Sequence, residues 1–322
     1  MLRRHLLLAS MVALGAAALP AGAQTFPTKG LRIVVPFAAG GVGDLTARIV
    51  AEGLSTRLAQ PVVIENRPGA GGVVAAETVA RAEPDGHTLF LMSNGTAVTA
   101  GLFKSLPFDT VKDFAPISTL GYFDIAVVAH PEAPFKTFAE LLAYAKANPG
   151  KLNIGSINIG STQNLAAELF KSSAGIDGQI VPFNGTPNLI GALRGKQVDV
   201  GVEILGPVLT QIRGGALKAL AVTGEKRSTV LPDVPTAKEA GVAGFVASSW
   251  NALAAPAKTP RPVIDRLQRE IAATVADAEV QKKLQALNID PRSSTPEQTA
   301  ALLASDIQRW SGVIERAGIP KQ

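Results

Sequence analysis

The sequence contains no cysteine and only three histidines in 322 residues. Without cysteine, the chain can form no disulfide, no thiolate metal site and no lipid-modified cysteine anchor. Beyond residue 23 the histidines are His87 and His130, each beside a turn-forming glycine or proline, and we predict that both are surface turn residues. They lack the spacing of zinc ligands, so no metal site is predicted.

Motifs of catalysis and of nucleotide binding are also missing. There is no G-x-S-x-G elbow, no S-x-x-K pair and no G-x-x-x-x-G-K-[ST] phosphate loop. Gly41-x-Gly43-x-x-Thr46 lacks the third glycine of a dinucleotide fingerprint. The sequence therefore predicts neither an enzyme nor a bound cofactor.

Long apolar runs are absent after the N-terminus. Arg3 and Arg4 precede an apolar run from Leu6 to Leu19, followed by an A-x-A cleavage pattern that ends at Ala23. We interpret residues 1–23 as a signal peptide for general secretion, with twin-arginine export as the weaker alternative. The run is too short for a permanent anchor. The mature chain is expected in the periplasm and not attached to the membrane.

Charge of one sign is not concentrated anywhere. The 31 basic and 26 acidic side chains give a net charge of +5 without a basic run, so nucleic acid is not predicted as a partner. A chain of this length buries a large core and usually divides into two domains.

Short apolar runs alternate with glycine loops and helical patterns. Leu31–Val35 is typical of a buried strand, Pro36–Gly43 forms a glycine loop, and a helix runs to Leu58 with Asp44 as the predicted N-cap. The same order recurs at Leu152–Leu169. Such loops at helix N-termini point backbone N–H groups at one place, which favours anions. They are equally consistent with ordinary turns and caps.

The alternation predicts an α/β fold of two domains, each a mainly parallel sheet flanked by helices. Ser93–Thr96 is predicted as a small polar loop, and everything from Pro260 onward as helical, with no further strand. We expect the C-terminal helices to return to the first domain, so that the chain crosses between domains twice and forms a hinge. The predicted domains are residues 24–124 plus 246–322, and residues 125–245.

Seven sequence blocks in order carry a resemblance to a known family. The chain resembles the extracytoplasmic solute-binding receptors of tripartite tricarboxylate transporters, the Bug or TctC proteins. The blocks are IVVPFAAGGVGDLTAR (33–48), ENRPGAGG (65–72), PDGHTL (84–89), GSINIGSTQNLAAELF (155–170), VPFNG (181–185), LPDVPTAKEAG (231–241) and SSWNALAAP (248–256).

The resemblance implies a two-domain Venus-flytrap fold of the periplasmic-binding-protein type, with a small organic carboxylate or other small anion held in the cleft. It also implies a partner, either membrane permease subunits or a sensor protein, and a monomeric receptor. Backbone amides and hydroxyls from one loop of each domain, with nearby cleft-edge positions, are expected to hold the ligand. These residues are Phe37, Ala38, Ala39, Gly40, Gly41, Gly43, Asp44, Ser93, Asn94, Ser156, Asn158, Ser161, Thr162, Gly185, Thr186 and Glu203.

The sequence departs from the usual family pattern at five positions near the cleft, so we expect a ligand different from the common di- and tricarboxylates. These positions are Gly43, Asn158, Asn164, Asn251 and Ala252. Two alternatives stay open. One is a periplasmic hydrolase that acts on an anionic substrate and has a base near Ser156 or Ser161. The other is a receptor that serves only in signalling.

Overall fold

The computed structural model describes residues 26–316 and 318–322, so the predicted signal peptide lies outside the described residues. None of the helices in these ranges is long and apolar enough to cross a membrane. The strands are β1 (Leu31–Val35), β2 (Val62–Asn66), β3 (Thr88–Ser93), β4 (Phe114–Ala129), β5 (Leu152–Ile157), β6 (Gly178–Phe183), β7 (Val200–Ile204), β8 (Lys218–Val222), β9 (Ser248–Pro256) and β10 (Ile289–Pro291).

Helices follow most of the strands. They are α1 (Val42–Leu58), α2 (Val73–Ala80), α3 (Asn94–Leu102), α4 (Phe138–Ala147), α5 (Thr162–Ala174), α6 (Thr186–Arg194), α7 (Leu205–Arg213), α8 (Arg261–Val275), α9 (Ala278–Ala286) and α10 (Pro296–Arg316). A short 3-10 turn, Ala70–Gly72, precedes α2.

The strands form one sheet in the order β2-β1-β3-β9-β4-β7-β5-β6, with β8 and β10 also paired to β4. The pairs of β1 with β2 and β3, and of β5 with β6 and β7, are parallel. β9 and β4 run antiparallel to their neighbours at the centre. The sheet therefore consists of two parallel βα units joined through antiparallel central strands.

β4 is a central strand and contributes to both halves of this sheet. Its residues from Phe114 to Asp124 pair with β9, and β10 pairs with it at Gly121–Phe123. From Ile125 to Ala129 the same strand pairs with β7, and β8 pairs with it from Ala126. We call β1–β3, β9, β10 and the first part of β4 the first half-sheet, and the remainder the second half-sheet.

Helix faces explain how the layers pack. In α1 the buried apolar residues recur on one side, as the four-residue spacing predicts, and they pack with β1 and α8 in one core cluster. The C-terminal helices follow the same rule: α8 and α9 pack on α1, and α10 packs on α3 and β4. All three therefore cover elements near the first half-sheet.

Four predictions about local structure are wrong. Asp44 is not the N-cap of α1; the helix begins one turn earlier, with Gly41 as N-cap, and Asp44 lies in its first turn. Ser93–Thr96 is not a loop: Ser93 ends β3 and is the N-cap of α3, which begins at Asn94, and the Ser93 N–H donates to Thr96 Oγ1. The C-terminal region does contain a strand, β10. His87 is buried, and its Nε2 accepts the Thr28 N–H at 3.2 Å.

Candidate functional site

Two adjoining chambers lie where loops of the first half-sheet face loops of the second. They share Phe37, Ser93 and Asn158. The polar chamber is lined by Phe37, Ala38, Gly41, Val42, Gly43, Ser93, Phe123, Ile157, Asn158, Thr162, Gln163, Gly185, Thr186, Ile204, Ser249 and Asn251. The apolar chamber is lined by Pro36, Phe37, Gly69, Gly71, Gly72, Ala76, Phe90, Ser93, Gly95, Thr96, Thr99, Phe108, Asn158, Gly160 and Ser161.

Most of the residues predicted from the sequence come together at these chambers. Ten of the sixteen line at least one chamber: Phe37, Ala38, Gly41, Gly43, Ser93, Asn158, Ser161, Thr162, Gly185 and Thr186. The other six lie behind or beside the walls: Ala39, Gly40, Asp44, Asn94, Ser156 and Glu203. Of the five family departures, Gly43, Asn158 and Asn251 line a chamber, whereas Asn164 and Ala252 do not.

Asp44 fixes the conformation of the first loop, which joins β1 to α1. Its carboxylate accepts the Gly40 N–H at 3.0 Å, the Asn66 Nδ2 at 2.8 Å and the Arg48 guanidinium at 3.0 Å. Burial acts to raise the pKa of Asp44, but the hydrogen bonds from Arg48, Gly40 and Asn66 outweigh it and lower the pKa. The negative charge of Asp44 is therefore compensated by groups of the protein itself. The loop presents backbone and apolar groups to the polar chamber.

The second loop, which joins β5 to α5, is fixed by hydroxyl and amide groups of its own residues and of its two ends. Ser161 Oγ donates to the Ile157 carbonyl at 2.9 Å and accepts the Asn164 N–H at 3.1 Å, which caps α5. Asn164 Nδ2 donates to Ser156 Oγ at 3.1 Å. The asparagine at position 164 thus supports the loop from behind.

A chain of hydrogen bonds connects the two sides of the cleft to the C-terminal helix. Thr162 Oγ1, at the start of α5, donates to Asn94 Oδ1 at 3.0 Å. Asn94 Nδ2 donates to Asp306 Oδ2 at 2.6 Å, and the same oxygen accepts Trp250 Nε1 at 2.7 Å. Asp306 on α10 therefore fixes Asn94, which in turn contacts the second loop.

The two sides of the cleft also approach each other closely at Gly71 and Gly160. Thr99 Oγ1 donates to the Gly71 carbonyl at 2.8 Å and lies 3.4 Å from the Gly160 carbonyl. A Cβ on Gly160 would lie 3.0 Å from the Gly71 Cα, and Gly160 has φ +83°. Glycine is required here both by the backbone conformation and by the close approach.

Glu203 lies fully buried behind the polar chamber. Its Oε1 accepts Gln163 Nε2 at 2.8 Å and the Ile204 N–H at 2.7 Å, and its Oε2 has no partner among the described residues. Burial raises the pKa of Glu203, against hydrogen bonds from Gln163 and Ile204 that act to lower it. A buried carboxyl with a free oxygen thus lies one side chain away from the chamber.

Glu203→Gln is expected to flatten the dependence of stability on pH. The raised pKa means that the folded state holds a proton which the unfolded state loses near 4.5. The wild-type free energy of unfolding should therefore fall as pH rises above about 4.5, by at most about 1.4 kcal/mol per pH unit, and level off above the folded pKa. Glutamine keeps an oxygen for Gln163 and Ile204 but does not titrate. Urea unfolding of both proteins from pH 4 to pH 8 measures this; parallel profiles would contradict it.

Neither chamber is lined by a lysine, arginine or histidine in the described parts of the chain. Within the same ranges no group of three histidine, aspartate or glutamate side chains could hold a metal ion. What the polar chamber offers instead is the N-terminal turns of α1, α5 and α6, with hydroxyl and amide side chains. Helix N-termini with small polar side chains favour an anion.

Fewer of the predicted residues lie at the apolar chamber, which is lined by Phe37, Ser93, Asn158 and Ser161 of that set. Its wall includes Gly69, Gly71 and Gly72, which belong to the block 65–72 that was used for the resemblance but not assigned to the site. This glycine-rich block after β2 was the signal available, since it follows the carboxyl end of a parallel strand. Phe90 and Phe108 gave no such signal, because aromatic residues in that position are typical of core.

Comparison with known proteins identifies the family to which this fold belongs. Residues 46–319 match the family described as tripartite tricarboxylate transporter family receptor, TctC. BugT of Bordetella pertussis is 36% identical over 95% of this chain and 95% of its own. The structure of periplasmic binding protein BugD is 33% identical with a TM-score of 0.88, covering 92% of this chain and 100% of that one. MatC from Rhodopseudomonas palustris, solved with bound malate, is 35% identical with a TM-score of 0.84, covering 90% and 100%.

The fold and the cleft are those of a solute-binding receptor with the α/β periplasmic-binding-protein fold. The chain belongs to the TctC family of tripartite tricarboxylate transporter receptors, a family of receptors and not of enzymes. The predicted fold class, the resemblance and the prediction of a non-enzyme are therefore confirmed.

Proposed function

We propose that this chain is a periplasmic receptor that holds a small organic carboxylate between two lobes and delivers it to a membrane permease. The lobes are residues 24–124 plus 246–322, and residues 125–245. The observation that carries the proposal is the polar chamber, where the N-terminal turns of α1, α5 and α6 converge from both half-sheets. Relatives support the rest: BugD is described as a periplasmic binding protein, and MatC binds malate.

Magnitudes indicate which contacts must dominate. A helix N-terminus contributes about 0.3–1 kcal/mol to an anion, and roughly 2 kcal/mol when partly buried. Micromolar affinity needs about 8 kcal/mol. Hydrogen bonds to a charged group contribute about 1.5–3 kcal/mol each, so several direct bonds from backbone amides, hydroxyls and the amides of Asn158 and Asn251 are required. We assign ligand contact to the ten predicted residues that line the chambers, and a supporting role to Asp44, Asn94 and Glu203.

The alternatives receive less support. A hydrolase would need a base near Ser156 or Ser161, but the hydrogen-bond partners of these two hydroxyls are the Ile157 carbonyl and the amides of Asn164, none of which is a base. The buried His87 accepts a backbone N–H near the N-terminus of the fold and lines neither chamber. A receptor that reports its ligand to a sensor protein would use the same cleft, and the identity of the membrane partner distinguishes it.

Gly41→Leu is expected to abolish binding of carboxylates. Gly41 lines the polar chamber, has an ordinary backbone φ of −83° and would accept a Cβ at 3.5 Å from Thr186 Oγ1, so a leucine side chain fits the backbone but fills the space. The measurement is a thermal-shift and calorimetric screen of the mature protein against mono-, di- and tricarboxylic acids. A ligand at a hundredfold excess over Kd should stabilise the wild type by about 2.7 kcal/mol.

The matched control is Gly191→Leu, because Gly191 is exposed on α6 and has nothing within 4 Å of a new Cβ. It should bind as the wild type does. A wild type that binds no acid in the screen, or a Gly41→Leu variant that binds as well as the control, would contradict the proposal.

A further inference from the structure

Glu203 is a fully buried carboxyl group in β7, beside the site proposed for the ligand. Its Oε1 accepts both Gln163 Nε2 and the Ile204 N–H, whereas its Oε2 has no partner among the described residues. An ionised carboxylate in this position would have hydrogen bonds to only one of its two oxygens, which makes the burial of its charge costly. Oε2 is therefore the oxygen that is free to carry a proton.

No cation compensates Glu203 in the part of the chain that the structure describes. β7 lies between β4 and β5 and is covered by α5, α6 and α7. The titratable and charged side chains on these elements are Tyr122 and Asp124 on β4, Glu168 and Lys171 on α5, Arg194 on α6 and Arg213 on α7. None of them shifts the pKa of Glu203 by its charge, so burial dominates and raises that pKa.

The cations on the covering helices are all held elsewhere. Lys171 lies 3.9 Å from Glu168 on the same helix. Arg194 and Arg213 are the last residues of α6 and α7, about 12 Å along each axis from the first residue of the helix. The end of β7 that carries Glu203 is directly followed by the N-terminal turn of α7, at the opposite end from Arg213.

Only one layer of residues separates Glu203 from the polar chamber. Both residues that donate to its Oε1, Gln163 and Ile204, line this chamber. A carboxylate bound there would place a negative charge beside the hydrogen-bond partners of Glu203. Like charges repel strongly in a buried region of low dielectric constant, so the bound anion and an ionised Glu203 oppose one another. An ionised Glu203 would also compete with the anion for the amide of Gln163.

On the basis of the proposed function, we propose that this receptor takes up one proton together with its carboxylate, and that Glu203 Oε2 carries the proton. The proton comes from solvent and returns to solvent when the ligand leaves. Where Glu203 is already protonated before binding, the affinity does not depend on this group. At higher pH the proton must be taken up on binding, so the affinity falls, by at most tenfold per pH unit.

The test compares the pH dependence of affinity in the mature wild type and in Glu203→Gln. Glutamine has nearly the same shape, keeps an oxygen for the donors of Gln163 and Ile204, and does not titrate. The probe is the screened acid with the largest thermal shift, from a set that includes acetate, succinate and tricarballylate. The two proteins should bind it within threefold of each other at pH 5. Between pH 5 and pH 9 the wild type should lose at least tenfold more affinity in calorimetry than Glu203→Gln, and the titration of the probe itself affects both alike.

Glu168→Gln is the matched control. Glu168 is another carboxyl group on an element that covers β7, and burial raises its pKa as well. It lines neither chamber, so this variant should keep the wild-type pH profile. Parallel profiles of the wild type and Glu203→Gln overturn the inference, and so does a Glu168→Gln profile as flat as that of Glu203→Gln. Either result leaves the receptor function standing, whereas a screen in which no acid binds removes both proposals.

A second measurement uses the wild type alone. Binding enthalpies at the same pH in phosphate and in Tris differ in proportion to the number of protons taken up on binding. Between pH 7 and pH 9 the probe is ionised, so proton uptake there reports on the protein. We expect a maximum uptake of about 0.3–1 proton per ligand in this range. Absence of uptake throughout the range overturns the inference, even if Glu203→Gln does not fold.

Discussion

Gly160→Ala should weaken carboxylate binding at least tenfold while the protein remains folded. A Cβ at this position would lie 3.0 Å from the Gly71 Cα and 3.3 Å from Thr99 Oγ1, across the cleft. These neighbours include backbone, which cannot move aside as a flexible side chain does. In the proposed two-lobed receptor the added methyl group would hold the lobes apart and remove contacts that only the closed cleft makes. A tenfold loss corresponds to about 1.4 kcal/mol, a small part of the binding free energy.

The control for Gly160→Ala is Gly175→Ala. Gly175 also has a positive φ, +59°, but a Cβ there would have nothing within 4 Å. Both variants carry the strain of a left-handed alanine, about 1–2 kcal/mol, so the control matches the backbone cost and lacks only the close contact. Only Gly160→Ala should lose affinity in calorimetry with the tightest acid of the screen. Wild-type affinity in Gly160→Ala would show that the bound state does not use this approach of Gly71 and Gly160.

Asp306→Ala is expected to lower the free energy of unfolding by about 2–6 kcal/mol. Asp306 is 7% exposed, and its Oδ2 accepts both Asn94 Nδ2 and Trp250 Nε1. Alanine would leave these two buried donors without an acceptor, at about 1–3 kcal/mol each. The total stability of a domain is about 5–15 kcal/mol, so this one change would remove a large fraction of it. Urea unfolding measures the difference.

Asp265→Ala is the matched control for Asp306→Ala. Asp265 pairs with Arg261 on the surface of α8, where an ion pair four residues apart contributes about 0.3–0.5 kcal/mol. The control should therefore unfold almost as the wild type does. If Asp306→Ala also unfolded like the control, the hydrogen-bond chain from α10 to Asn94 would have no structural importance.

The strand–helix alternation of this fold was accessible from the sequence because each parallel unit is local. β1 and α1 follow one another, and period and glycine position define them without reference to the rest of the chain. β10 was not accessible, since three residues carry no period and this strand exists only because β4 is there to pair with it. The start of α3 was missed for a related reason: Ser93–Thr96 is typical of a turn until the capping bond to Thr96 is known.

More of the predicted site residues lie at the polar chamber than at the apolar chamber. The resemblance supplied its loops, and helix N-termini supplied a reason for an anion to bind there. The distinction between contact and support was not predictable, because Asp44 and Asn94 have the same composition signals as ligand contacts, and only their bonds to Gly40 and Asp306 reveal otherwise. Phe90 and Phe108 look like core in any sequence, and only the sheet places them at a cavity.

The shared strand β4 has a consequence for how the chain acquires its structure during synthesis. β3 obtains its neighbour β9 only after residues 248–256 have emerged, whereas the β5–β8 region and its part of β4 are complete by Val222. The unit encoded in the middle of the chain can thus assemble while the unit encoded at both ends still waits for its closing strand. No contiguous fragment contains the outer unit without also containing the inner one.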